Sequence, residues 1–186
     1  MPFLLRGSSK SFSSVSEGSA SSASSSSSVT ASCECCSGTV PDSITATPYG
    51  FGSDCGFDCC DWTKINTTSF ICRFISATAG DVCYWESDPV LVEGFGCDPG
   101  DCWPGGFYDR YFKIKITINC EEEGYTTVTA DLYGSSSASG PWDLEYQWIK
   151  TVASSTIDCT SIGTIPGDMD DWPYPCMTNP PYVILS

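Results

Sequence analysis

The chain contains no histidine. That absence removes Ser-His-Asp and Cys-His nucleophile systems, imidazole proton relays and histidine-ligated metals. Positive charge is scarce as well: eight Lys and Arg stand against 23 Asp and Glu, for a net charge of −15. Such a balance repels phosphates, so nucleic acid is not an expected partner. No apolar run reaches the roughly 18 residues of a membrane-spanning helix, so no membrane insertion is expected. Apolar residues do not recur at i, i+3, i+4 and i+7 over any long window, which excludes helix as a main element. A P-loop, a dinucleotide fingerprint and a haem-attachment motif are missing too. With these gone, no catalytic residue is expected and the chain is not read as an enzyme.

What the chain has in excess is cysteine, thirteen in 186 residues. Six of them fall between Cys33 and Cys60, including the adjacent pairs Cys35-Cys36 and Cys59-Cys60. Disulfides are the favoured reading, because most of the sulfurs stand singly at strand or loop ends, where a bridge could staple a sheet to a loop. The candidates are Cys33, Cys35, Cys36, Cys55, Cys59, Cys60, Cys72, Cys83, Cys97, Cys102, Cys120, Cys159 and Cys176. Adjacent cysteines rarely bond each other, so Cys35 and Cys36 are expected to take separate partners, as are Cys59 and Cys60. Cys97 and Cys102 could close a local loop. An odd count leaves one thiol free or joined to another chain. Zinc is the second reading, with Cys33, Cys36, Cys55 and Cys59 as ligands. Redox catalysis comes third, for want of a recognised CxxC and of a thioredoxin-like βαβ pattern.

Composition divides the chain in two. Residues 1–32 hold fifteen serines and a charge balance of +1 from Arg6, Lys10 and Glu17. They read as a low-complexity arm, either a linker or a segment that docks on a neighbour. Residues 33–186 carry the remaining −16 and read as one cysteine-rich β domain. The opening MPFLLRGSSK makes a poor secretory signal, with a short apolar patch and no charge before it. Cysteine usage therefore points to an oxidising setting while the start does not point to ordinary export. Another export route, or assembly in a cell followed by release, reconciles the two.

Strand signals follow from Val40 onward. Ser43 to Thr47 alternates Ile44 and Ala46 against Ser and Thr, with Pro48 expected to limit the strand or to place it at an edge. Phe70, Cys72 and Phe74 share one face of a second segment, and Asp81–Glu86 and Pro89–Glu93 supply two more. Gly94 to Gly106 reads as irregular loop. The longest strand is expected over Phe107–Asn119, with Phe112, Ile114, Ile116 and Ile118 inward. It turns at Glu121–Gly124 and returns with Val128, Ala130 and Leu132 inward, the best hairpin in the chain. Trp142, Leu144, Tyr146 and Trp148 fall at period 2, and Tyr182–Leu185 closes the set. The fold class expected is all-β: an antiparallel β-sandwich or barrel, cross-linked by cysteines and led by an irregular Ser-rich arm.

Other candidate sites rest on short patterns. Asp143 and Glu145, beside Trp142 and Trp148, would both lie on the outward face of their strand and could be drawn into glycoside hydrolysis. Exposed aromatics among Trp62, Trp85, Trp103 and Trp172 could bind sugar or a protein. Asp168, Asp170 and Asp171 could hold structural calcium. Asn66-Thr67-Thr68 matches a glycosylation acceptor.

The serine tract, the Cys35-Cys36 pair, Pro41, Ile44-Thr45-Ala46-Thr47, Cys55, Trp85 and Ile116-Thr117-Ile118-Asn119-Cys120 together resemble a loose class. These are uncharacterised Ser-tract, Cys-rich β modules of planctomycete-type bacteria and environmental phages. The resemblance covers roughly residues 8–160 and implies a surface or particle component; the Gly94–Gly106 insertion departs from it. The function expected is a structural or adhesive component of a large assembly, foremost a virion. The alternatives are a secreted carbohydrate-binding module or glycoside hydrolase, and a small zinc-stabilised interaction protein. Expected partners are further copies of the chain and other proteins of the same particle.

Overall fold

The computed structural model describes residues 33–52, 61–78, 81–96, 108–120, 124–167 and 180–186. All of them belong to one compact unit, Ala31–Ser186. The expected arm over residues 1–32 lies outside the described residues.

Among the described residues nine strands account for nearly all regular structure: β1 Ser43–Tyr49, β2 Phe70–Thr78, β3 Val82–Ser87, β4 Val90–Gly96, β5 Tyr108–Asn119, β6 Thr126–Ser135, β7 Asp143–Val152, β8 Gly163–Pro166 and β9 Tyr182–Leu185. One 3-10 turn, Trp62–Ile65, is added between β1 and β2. Every strand pairing is antiparallel, in the order β7-β6-β5-β3-β2-β1-β9-β8, with β4 also on β5. The two outer strands of this order then meet. Trp148 of β7 bridges Gly167, just past β8. Lys150 Nζ donates to the carbonyls of Ile162 and Thr164 at 3.0 and 3.3 Å. The sheet is thus a nearly closed barrel, which leaves few unpaired edges.

The β5–β6 hairpin is as the alternation predicts. Nine residue pairs run in unbroken register from Tyr111↔Ser135 to Asn119↔Thr127. Phe112, Ile114, Ile116, Ile118, Val128, Ala130 and Leu132 are all fully buried. Each of the larger side chains contributes about 1.5–3 kcal/mol of burial. On its other edge β5 pairs first with β4 and then with β3. These two are one long strand interrupted by a single-residue shift at Ser87–Pro89. At the interruption the buried Ser87 hydroxyl accepts from Ile114 N at 3.0 Å, supplying the acceptor the ladder lacks there. Gly94–Gly96, read as loop, belongs to β4.

Pro48 neither limits β1 nor puts it at an edge, since β1 lies between β2 and β9. The strand runs on to Tyr49, and Pro48 is buried opposite Val183 of β9. Thr45 exchanges both backbone bonds with Ser186, so alternate residues of β1 point their backbone groups toward β9. Pro48 points the other way, beyond the end of the β2 ladder at Phe70, where no N–H is needed. Two further shifts re-aim side chains. In β2 one falls at Ile75, which is turned out to solvent. In β7 one falls between the partners of Leu132 and Tyr133, so that Leu144 is 54 % exposed while Tyr146 and Trp148 stay buried.

The two ends of the barrel are stopped differently. At the end where β1, β5 and β7 meet the Phe51 loop, aromatic rings fill the space. Phe51, Trp62, Phe95, Phe112, Tyr146 and Trp148 pack with centroids 4.7 to 6.0 Å apart, mostly edge to face. At the opposite end, where β3 begins and β5 finishes, the stopper is sulfur.

Candidate functional site: a sulfur collar at one end of the barrel

Cys33, Cys35 and Cys36 stand on one tight turn, closed by Cys36 N donating to Cys33 O at 3.1 Å. Each bonds a different region of the barrel. Cys33 joins Cys83 in β3, Cys35 joins Cys120 just after β5, and Cys36 joins Cys159 in the loop between β7 and β8. The Cα separations of 5.9, 5.4 and 5.3 Å sit within the ordinary range for cystine. Backbone bonds reinforce the third tie: Ser37 N to Ile157 O at 2.7 Å and Ile157 N to Cys35 O at 2.9 Å. Three disulfides in one domain place the folded state in an oxidising environment. Among the described residues no helix is long and apolar enough to cross a membrane.

The sulfurs are crowded. Cys33 Sγ and Cys36 Sγ lie 3.5 Å apart although each is bonded elsewhere. Those of Cys33, Cys35 and Cys83 all fall within 4.8 Å of one another. Such a cluster has the reach of a metal site, but its thiols are spent on disulfides. The zinc set expected from spacing is split by the same bonds: Cys33 and Cys36 go to Cys83 and Cys159, while Cys55 and Cys59 lie outside the described residues. The turn also holds a redox-type spacing, which the sequence reading overlooked. Cys33-Glu34-Cys35-Cys36 is a C-x-x-C, and its outer members are in contact.

Among the described disulfide candidates Cys72 is the exception. It is free, buried in β2, and its thiol is pushed up to about 12 by burial and, less, by the nearby charge of Glu86. The other candidates, Cys60, Cys97, Cys102 and Cys176, lie outside the described residues. So do Asp168, Asp170 and Asp171 of the calcium proposal, along with Trp103 and Trp172.

A cleft of about 330 Å³ opens beside the Cys36–Cys159 bond, lined by Lys150, Thr156, Ile157, Asp158, Ser161 and Ile162. Its two charges are each held by their own neighbours. Lys150 bonds the seam carbonyls, and Asp158 accepts from Thr160 N and Oγ1 at 2.9 and 2.6 Å, which lowers its carboxyl below the usual range. Neither is hydrogen-bonded to the other, so no acid–base couple forms there. No protein-family model, curated protein or solved structure matches the chain. The site is therefore read from its own geometry.

Trp62 and Trp85 are buried, not exposed; Trp85 Nε1 donates to Pro41 O at 2.9 Å. Asp143 stays on the surface, but the shift in β7 turns Glu145 into an ion pair with Arg110 at the aromatic end. Arg110 lies over the rings of Phe95 and Phe112. Gly134 makes room for the pair: a Cβ there would stand 2.6 Å from Glu145 Oε1. Asn66 of the glycosylation motif bonds Phe51 through both ends of its amide, which occupies the nitrogen that would be modified.

Sequence reasoning placed Lys113 and Lys115 on the outer face of β5 but missed the row they join across β3, β5, β6 and β7. Glu86, Lys115, Asp131 and Gln147 stand side by side across four strands. Lys113 Nζ bonds Glu86 at 2.6 Å and lies 4.8 Å from the centre of the Trp142 ring. Lys115 sits equally close to Tyr84. The period-2 pattern held this row in plain view: every second residue of β5 and β6 is polar or aromatic. Ammonium groups lie over these rings, so stacking on a sugar would have to displace a cation–π contact worth about 0.5–1 kcal/mol.

Proposed function

We propose that the protein is a structural or adhesive module of a large assembly, such as a virion decoration, tail or fibre component. Its work there is mechanical. The observation that best supports this is the collar, in which three cysteines within four residues enter three separate regions of the barrel. Tension arriving from residues 1–32 meets covalent bonds into β3, the end of β5 and the β7–β8 loop. Strand hydrogen bonds, which would otherwise break in succession, are spared. Oxidised cysteines suit a module that works outside a reducing cytosol. The acidic surface keeps separate copies soluble until a partner meets them. The resemblance to Ser-tract, Cys-rich modules of bacteria and environmental phages points to the same setting.

The partners proposed are further copies of the chain and other proteins of the same particle, joined through residues 1–32. Cross-linking mass spectrometry on purified particles tests this. The protein is expected in stoichiometric copies, with cross-links from residues 1–32 to another chain. A soluble monomer absent from every particle fraction overturns the proposal.

A further inference from the structure

We propose that the collar is a thiol–disulfide exchange site. When a dithiol reduces any one of its three staples, Cys33 and Cys36 become bonded to each other and Cys159 is released. Three observations carry this. The 33–36 turn already holds the two sulfurs 3.5 Å apart, in van der Waals contact. The sulfurs of Cys35 and Cys83 lie within 4.8 Å of Cys33, so the disulfides are linked in reach. Cys120 is half-buried while the other five collar cysteines are buried, which gives an external thiol its place to start at the Cys35–Cys120 bond. Exchange is governed by access of a thiolate to a disulfide sulfur, and here the next sulfur is already in place.

The steps balance. Suppose the Cys36–Cys159 bond is opened first. One dithiol thiolate attacks it, the second thiol closes a cyclic disulfide, and Cys36 and Cys159 are left reduced. The dithiol has lost two electrons and the cystine has gained them. Cys36 thiolate then attacks Cys33 Sγ. The Cys33–Cys36 bond forms and the Cys33–Cys83 bond breaks. The electron pair leaves on Cys83, which takes a proton from solvent. This second step is redox-neutral and needs no further reagent.

Other starting points converge. If Cys33–Cys83 is reduced, Cys33 thiolate attacks Cys36 Sγ and displaces Cys159 directly. If Cys35–Cys120 is reduced, Cys35 thiolate attacks Cys83 Sγ and sets Cys33 thiolate free, which then attacks Cys36 Sγ and displaces Cys159. Each route trades a long-range staple for the local C-x-x-C cystine. Each also unhooks the β7–β8 loop that walls the cleft. A dithiol thus leaves the 33–36 turn held by one staple in place of three, without cutting the chain.

The test uses the full chain in its oxidised form. Thiols accessible at the start are blocked with N-ethylmaleimide. Dithiothreitol is added in steps, each sample is quenched with iodoacetamide, and the chain is cleaved at Glu34 for peptide mapping. The expected product joins the Cys33 and Cys36 peptides, with label on Cys159 exceeding label on Cys36 by about tenfold or more. Equal labelling of Cys36 and Cys159 with Cys33–Cys83 intact overturns the proposal. So does complete reduction without a Cys33–Cys36 species at any step. In Cys33→Ser/Cys83→Ser the acceptor is gone, and equal labelling of Cys36 and Cys159 is expected. An undiminished excess at Cys159 in that variant overturns the proposed route. Should the variant not fold, the map of the unaltered chain decides by itself.

Discussion

Gly167→Ala probes the seam that turns the sheet into a barrel. Gly167 stands opposite Trp148 and donates its N–H to Pro181 O at 2.8 Å. A Cβ at this position would run into both Tyr146 Oη and that same Pro181 carbonyl, with Tyr146 Cε1 3.0 Å away. Tyr146 is buried, so its ring has little freedom to retreat. Moving the carbonyl instead gives up the hydrogen bond. Overpacking costs about 1–3 kcal/mol, and the lost bond adds about 0.5–1.5. A total of about 2–4 kcal/mol is expected, a large share of the stability of a domain this size. Urea unfolding followed by tryptophan fluorescence measures it, and hydrogen exchange at the Trp148 and Gly167 amides locates it. Tyr146→Phe removes one of the two obstructing oxygens, so the double variant should recover about 1 kcal/mol as a coupling energy. Gly163→Ala is the comparison, since nothing lies within 4 Å of its new Cβ and only its φ of +75° opposes the change. A cost for Gly167→Ala below about 1 kcal/mol, with no coupling to Tyr146, would refute the closed seam.

Three other outcomes are expected. Cys36→Ser/Cys159→Ser should cost about 2–4 kcal/mol while leaving the β5–β6 amides protected from exchange; loss of protection throughout the hairpin contradicts a local collar. Burial holds the Asp131 carboxyl above its ordinary 3.8, against the pull of Gln147 and Lys115. A carboxyl raised on folding contributes stability below its ordinary value and loses it as pH rises through the raised one. Asp131→Asn should therefore raise Tm relative to the parent at pH 7, with the gap closing below pH 3.8; a lower Tm at pH 7 argues against it. Cys72, buried and with its thiol near 12, should resist iodoacetamide at pH 8 until urea unfolds the barrel, and fast native labelling would show an open path to β2.

Where neighbouring strands pair without interruption, the sequence pattern is a reliable guide. Phe112 to Ile118 and Val128 to Leu132 are inward because β5 and β6 keep one register along their length. The same rule fails at Leu144 and Glu145. One added residue in β7 reverses the faces there, and nothing local announces it. Pro48 misled because its edge-strand rule depends on where the neighbouring strand ends, which is a tertiary fact. Trp62 and Trp85 are buried by partners distant in sequence. The separate partners of Cys35 and Cys36 were foreseeable, but not their identity, since many connectivities satisfy the same spacing. Cys72 shows the limit most plainly: at an inward strand position a thiol can simply be core.

The collar also imposes a timetable on synthesis. Its three cysteines are made first, and their partners follow in the order Cys83, Cys120, Cys159. At translation rates of about 5–20 residues per second, several seconds separate the first partner from the last. Cys83 becomes available when only β1 to β3 exist, Cys120 when β5 is finished, and Cys159 once β7 is made. Cys159 lies between the two strands that meet at the seam and precedes β8, so its bond is available to anchor the β7–β8 loop before that seam closes.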